Sequence, residues 1–447
     1  MLGAGVGLLP QYRRKIPVPL PPGFGWDQAR FPLSVTRLGT GFRSGLEPRA
    51  LVDPLIWQGL ALHVDGDLGD DGNSGLGAVE GDFSAAKRSI HAAFVAGNAS
   101  GAPYRVIVKP GFYEESAFTR NGNQEPDQPV AIIGWGGKLR YRTGPFAVQW
   151  GDAGGSYSAP VSSVKRVFRC DLRDDQGLYR ELLQVADAAS CTATQESWCD
   201  LGGSVRVNIG AAPGESDIAL IRSFHGARFL SHARDLYLEN IEVEAGISGA
   251  LHLDAVAARN VVAVNCAFGY AAPSNPASPL DAVRVRRTDG LLAFFDCAAS
   301  MGAKDGWSFH EDGVGGMHVL LERFTGYRNG IDPATSCNGF TCHDGVRAVV
   351  LGGDFGWSRK GTEVHCVQAA QVWLAGSRAT ARDVDGTSVA FKCSNDARMW
   401  LQDCVADAAG AASNLAIEAN GGQVHTRAQA VLGGDLLASG AGAISGF

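Results

Sequence analysis

The chain has 447 residues, 59 of them glycine, and a formal net charge of -7. That length supports a sizeable core and two or three domains. The acidic balance excludes the basic footprint of a nucleic-acid binder, and no run approaches the roughly 20 apolar residues of a membrane span, so neither nucleic acid nor membrane insertion is expected.

The first residues, MLGAGVGLLPQYRRK, place apolar residues ahead of basic ones. A secretory signal has the reverse order, so no signal peptide is expected and synthesis is assigned to a cytoplasm. Residues 1–60 are irregular. Their stretch Ile16–Gly25, IPVPLPPGFG, is extended because each proline fixes φ and removes a donor. The reading is an N-terminal arm for attachment or oligomerisation, with a simple cap or tail as the alternative.

Residues 61–113 read as a capping helix and a first rung. Asp65–Gly75, DGDLGDDGNSG, is a run of turn residues without EF-hand spacing. Asp82–Gly97 is the predicted helix, with Asp82 or Ser84 as cap, Phe83, Ala86, Ile90, Ala93 and Phe94 on one stripe, and Gly97 at its end. Tyr104–Val108 follows as a strand. Residues 114–227 fit a repeat poorly; Val130–Gly134, Phe146–Trp150 and Val205–Ile209 read as strands in irregular rungs or a small β insertion.

Residues 228–447 are periodic. Each unit of about 22–33 residues holds a strand, a tight bend, a second strand and a variable loop, a period that belongs to solenoids. Two units show the register: Asp305–Gly313, DGWSFHEDG, and Asn338–Gly345, NGFTCHDG. Strand alternation sends Trp307, Phe309, Phe340 and Cys342 inward and Ser308, His310, Thr341 and His343 outward. Leu251, Val283, Val364 and Val389 open the matching strands, and Trp373 is assigned an inward position. Cys266, Cys297 and Cys404 share one rung position and Cys342 and Cys366 another, as stacked interior residues. Ten cysteines make no disulfide framework and show no CxxC spacing; no metal or other cofactor is expected. The fold expected is all-β: a right-handed parallel β-helix whose periodic part, from about residue 228, has about eight rungs and is roughly 40 Å long at about 4.8 Å per rung, with a capping helix and an extended N-terminal arm.

The string from Gly72-Asn73-Ser74-Gly75 through the helix to Val108-Lys109-Pro110-Gly111-Phe112-Tyr113-Glu114 resembles the start of pectate-lyase-like right-handed β-helix proteins. Lys304–His310, Cys337–Gly345 and Met399-Trp400-Leu401-Gln402-Asp403-Cys404 resemble a phage-associated and alphaproteobacterial subgroup of them. The resemblance covers about residues 60–410. It implies a protein that binds or cuts surface glycans. An arm without a signal peptide is similar to phage or gene-transfer-agent spikes. The expectation is therefore a homo-oligomeric spike on a virion or phage-like particle, made in the bacterial cytoplasm. It would join other virion proteins through residues 1–60 and bind host surface polysaccharide. The alternative is a polysaccharide lyase or glycoside hydrolase acting on an acidic glycan.

Two outward columns cross the first-strand sheet: His252, Arg284, Ser308, Thr341, His365, and beside it Asp254, Arg286, His310, His343. One reading is a plain solvated face; the other is a groove in which His252, Asp254, Arg284, Arg286 and His365, with Asp281 and Asp305 just before their strands, bind glycan; the alternative for Asp281 and Asp305 is that they fix the turns before their strands. The catalytic candidates are His310, His343, Glu311 and Asp344. Glu311 and Asp344 occupy one rung position on adjacent turns, near the roughly 5 Å separation of retaining hydrolases; a histidine beside Arg286 would serve a lyase.

Overall fold

In the computed structural model, residues 15–114, 125–273, 280–331, 336–382, 388–411 and 413–447 are described; the signal-peptide expectation for residues 1–14 lies outside them. The chain is nearly all β. It winds into a parallel β-solenoid of about 11 turns, in which Leu60–Val64, Tyr104–Val108 and Val130–Gly134 stack in register ahead of the periodic part.

Each regular turn passes through three sheets. The first runs through Leu251–Ala258, Trp307–His310, Phe340–His343 and Thr362–Cys366; the second through Val261–Val264, Met317–Glu322, Arg347–Leu351 and Gln371–Ala375; the third through Ala267–Gly269, Ala298–Ser300, Thr325–Tyr327 and Asp354–Gly356. Period-2 alternation builds the interior. Trp307 pairs with Phe340, Phe309 with Cys342, and Cys342 with Cys366, and all are buried in one continuous core. The last comparison slips by two residues: Val364 pairs with Phe391, not Val389, so Cys366 meets Cys393 and the inward set is preserved.

Residues in the left-handed region mark the bend from second to third sheet: Asn240, Asn265, Asp296 and Asp403 have φ between 50° and 58°. Asn and Asp tolerate that conformation, and their side chains stack: Asn265 Nδ2 donates to Asn240 Oδ1 (2.7 Å), and Asn240 Nδ2 to Gly134 O (3.0 Å). This is why Cys266, Cys297 and Cys404 each follow Asn or Asp.

The helix is shorter and later than predicted. It spans Ile90–Ala99, with Ser89 Oγ accepting from Ala92 N. Lys87 lies extended beside Val64, trading backbone hydrogen bonds with His63 and Asp65 of the end strand, so the segment from Asp82 cannot be helical. Asp82 instead closes a turn by accepting from Ala78 N and Ser84 N. Ile90, Ala93 and Phe94 join the coil interior beside Leu62 and Val64.

The described part of the arm is docked on its own coil. Phe24, Trp26, Leu33, Val35, Phe42, Val52 and Ile56 form a second apolar cluster with the outer face of the second sheet, including Tyr237, Val262, Phe295, Leu320, Val349, Trp373 and Trp400. Trp373 therefore points out of the coil, against Phe24 (6.4 Å between centroids); its neighbours Val372 and Leu374 are the inward residues. Polar latches fix this strap. Glu322 Oε2 accepts from Ser44 N (2.8 Å) and Ser44 Oγ (2.7 Å), and the His318 ring stands edge-on to Trp26.

Val130–Gly134 and Leu139–Arg142 are a full rung. The β insertion begins after Arg142 and ends before Ala227–Phe229. It is largely antiparallel around its own core of Val148, Val164, Val167, Leu182, Trp198 and Leu220. Val205–Asn208 is one of its strands, while the strand expected over Phe146–Trp150 is absent.

Candidate functional site

Parallel pairing brings both polar columns together on the outer face of the first sheet. His252, Arg284, Ser308, Thr341, His365, Lys392 and Glu418 are successive partners in one; Asp254, Arg286, His310 and His343 in the other. At their centre the imidazoles of His310 and His343 stack at 4.1 Å, 10° from parallel. Ser308 Oγ lies 3.0 Å from His310 Nε2 and Thr341 Oγ1 3.2 Å from His343 Nε2, linking the columns. His365 Nε2 meets Ser394 Oγ at 2.9 Å, and neither ring nitrogen of His252 has a hydrogen-bond partner among the described residues.

These rings are held neutral. Burial, then the neighbouring His343 and Arg284, lowers the His310 pKa to about 3. Burial with Arg284 brings His252 to about 3, and burial with Lys392 does the same for His365. His343 is lowered by burial and Lys304. A neutral imidazole offers one donor and one acceptor, as a sugar hydroxyl does.

The arginines expected to hold acidic sugars are engaged within the chain. Arg286 Nε donates to Asp312 Oδ2 (2.7 Å), and its NH1 lies 3.8 Å from Asp254 Oδ2. Arg284 NH1 is 3.4 Å from Asp281 Oδ2, and Arg287 Nε donates to Asp254 Oδ1 (2.6 Å). The face is charge-balanced, not cationic.

Three of the candidate carboxylates are buried, and Asp281 and Asp305 take the turn-fixing role rather than the glycan-binding one. Asp281 and Asp305 are 1% and 0% exposed, so ligand cannot reach them. Asp281 Oδ1 accepts from Asp305 N, and Asp305 Oδ1 from Asn338 N (2.9 Å) and Nδ2 (3.2 Å), a ladder that fixes the bends before three strands. Glu311, 8% exposed, packs beside Gly345, its Oε1 accepting from Met317 N (3.4 Å). Asp312 takes the place assigned to it: its backbone N donates to Asp344 Oδ2 (2.8 Å). His310, Asp312 and Asp344 each offer a ligand atom within 4.8 Å of the others. One nitrogen and two oxygens is a donor set for a divalent transition metal, and these are the residues that could hold one. The signal for Asp312 was in the sequence. Both copies carry Asp-Gly after the histidine, Asp312-Gly313 and Asp344-Gly345, with one extra residue, Glu311, in the first.

No protein-family model and no curated protein matches the chain. Among solved structures it is similar to one described as a glycoside hydrolase, at TM-score 0.45 and 9% identity over 87% of this chain and 96% of that one. It is also similar to pectate lyase Pel9A, at TM-score 0.34 and 12% identity over 87% and 81%. The GH136 lacto-N-biosidase from Eubacterium ramulus gives 0.32 and 12% over 85% and 66%.

Proposed function

We propose that the outer face of the first sheet binds a polysaccharide chain laid along the coil, and that the protein is a glycan-recognising β-helix, right-handed and capped at its N-terminal end by Ile90–Ala99. One observation carries this reading: the second sheet is sealed by the strap and part of the third is overlaid by the insertion, while the first keeps an uncovered outer face on which the half-buried His252, Arg284, His310, His343 and His365 follow one another at about 4.8 Å per rung around the buried hydroxyls of Ser308 and Thr341. The biological setting that suits it is a homo-oligomeric spike on a virion, phage-like or gene-transfer-agent particle that binds host capsule or another envelope glycan. Attachment through residues 1–60 would then use the solvent side of the strap, because its inner side is committed to the coil.

A second reading, cleavage by a polysaccharide lyase or glycoside hydrolase, draws on the cluster of His310, Asp312 and Asp344. The electrostatics favour binding. A base should have a pKa near working pH, whereas His310 is far below it. A hydrolase needs one carboxyl held protonated, whereas Arg286 keeps Asp312 below the usual range. The test is incubation of purified protein with candidate capsular polysaccharides. Retention with unchanged polymer length, weakened about tenfold by a His310→Ala, His343→Ala double variant, is the expected result. Shortened polymer or new unsaturated ends absorbing in the near ultraviolet would establish cleavage instead.

A further inference from the structure

Acidic groups on a glycan need a cationic site, and the first sheet does not supply one. The cleft between the insertion and the coil does. The hairpin of Val164–Arg173 and Tyr179–Glu181 is fastened to the coil by Arg166, 2% exposed, whose Nε and NH2 donate to the two Glu181 oxygens (2.7 Å each) and whose NH1 donates to Ala271 O and Met301 O (2.6 Å each). Beyond that fastening lies an open cleft of about 730 Å³ whose side chains include five arginines, Arg173, Arg180, Arg328, Arg359 and Arg382, against two acids, Asp174 and Glu181. In a chain of net charge -7, that is a local concentration of arginine, part of it paired with acids at the rim such as Glu196 and Asp407.

Backbone geometry shows how the cleft is built. Tyr270, Met301, Arg328 and Trp357 occupy the same bend on four successive turns, and all four have φ between 51° and 61°. Bulky residues rarely adopt this region. Tyr270 and Met301 use it to pack against Phe168 and Tyr179 of the insertion. Arg328 and Trp357 continue the line past the hairpin and front the cleft. The Trp357 ring is half-buried and braced edge-on by Tyr327 at 5.6 Å. Arg328 is paired with Asp174, Arg382 with Asp407, and Glu181 with Arg166. The Arg173 guanidinium lies 4.5 Å from the Tyr179 ring with NH1 on Gly177 O, and Arg180, 59% exposed, stands at the mouth with its Nε 3.8 Å from Glu196 Oε2.

We infer that this cleft is a second binding site, for a short anionic oligosaccharide whose sugar ring rests on Trp357 while its carboxylate or sulfate is held by Arg173 and its neighbouring arginines. A planar guanidinium takes either group in two parallel hydrogen bonds, and the volume falls in the range of ligand pockets, about 300–1,000 Å³.

The experiment is calorimetric titration of the full chain with three tetrasaccharides: heparin-derived, oligogalacturonate and uncharged maltotetraose. Binding of an anionic probe but not maltotetraose is expected, weakening as salt rises from 50 to 300 mM. Which anionic probe binds decides between sulfate and carboxylate. Arg173→Gln and Trp357→Asn, the latter keeping a residue that tolerates positive φ, should each weaken binding at least fivefold. The His310→Ala, His343→Ala double variant should leave it unchanged, which separates this site from the first-sheet surface. No binding of either anionic probe at millimolar concentration, equal binding of maltotetraose, indifference to both cleft variants, or loss in the first-sheet variant overturns the inference.

Discussion

The imidazoles of His310 and His343 lie face to face, 4.1 Å between centroids, because one turn of the coil places one above the other. Two charged rings at that distance would repel strongly, so the stack exists only with protons withheld. The same burial acts on His232, brought to about 4, and on His252 and His365, brought to about 3. Unfolded histidines titrate near 6.5. The unfolded chain therefore binds more protons, and the stability these groups support is complete above about pH 6.5 and lost as pH falls toward the folded values. Each contributes a slope of up to about 1.4 kcal/mol per pH unit in that window. Urea midpoints should fall steadily from pH 7.5 to 5, less steeply in His310→Gln, while the ring protons of His310 in NMR show no titration above pH 5. A His310 titrating near 6.5 would refute the stacked, neutral pair.

The strap is a structural element and not a tail. Phe42 is fully buried, with Arg37 5.6 Å from its ring and Gly376 so near that a Cβ there would come within 2.8 Å of it. Phe42→Ala should cost about 3 kcal/mol, the usual loss for emptying a buried aromatic site. Gly376→Ala should also destabilise, since Gly376 has φ +66° in addition to the close ring. Equilibrium denaturation measures both. A loss below 1 kcal/mol for Phe42→Ala would mean that the strap lies loosely on the second sheet.

The coil was legible where one face of a strand is apolar and the other polar. Trp307 and Phe309 against Ser308 and His310 fixed the register of both polar columns, because alternation has only two phases. Trp373 was misassigned for the same reason in reverse. The second sheet is covered on both faces, so Val372-Trp373-Leu374 is apolar throughout and alternation carries no signal. The site was half legible. His310 and His343 follow from the register alone, but Asp312 depends on where each copy enters the left-handed region, at Asp312 in one and Asp344 in the other. That offset breaks the residue-by-residue match that singled out Glu311. The insertion was legible only as a break in the period, because its strands pair antiparallel around a core unrelated to the repeat.

Asp305 offers a pH dependence of opposite sign. It is fully buried, and burial together with Asp281 raises its pKa despite Lys304 at 3.5 Å. In this case the folded state binds the extra proton, so this group's contribution falls as pH rises from the ordinary carboxylate value, near 4, through the raised one. The next turn carries Asn338 at this position, and Asn would keep the acceptor that Asn338 N uses. Asp305→Asn should therefore gain stability relative to the native chain at pH 8 and lose that advantage at pH 5, measured as the difference in denaturation midpoint. A variant less stable than the native chain at pH 8 would show that the ion pair with Lys304 outweighs desolvation.

Arg286 fills the role a cation would fill at His310, Asp312 and Asp344. Its Nε on Asp312 Oδ2 neutralises one carboxylate, and the backbone N of Asp312 occupies Asp344 Oδ2. A divalent ion entering the native site would have to displace the guanidinium and accept its repulsion, so Mn²⁺ or Zn²⁺ at 1 mM should leave the melting temperature unchanged. Arg286→Ser removes that charge and leaves one imidazole and two carboxylates whose ligand atoms lie within 4.8 Å of one another. This variant should be less stable than the native chain without metal and should recover several degrees with Zn²⁺, by the linkage between binding and folding. Asp344→Asn in the same background should abolish the recovery. Metal stabilisation of the native chain would mean that Arg286 yields its place, and would make the cluster a metal site in its own right.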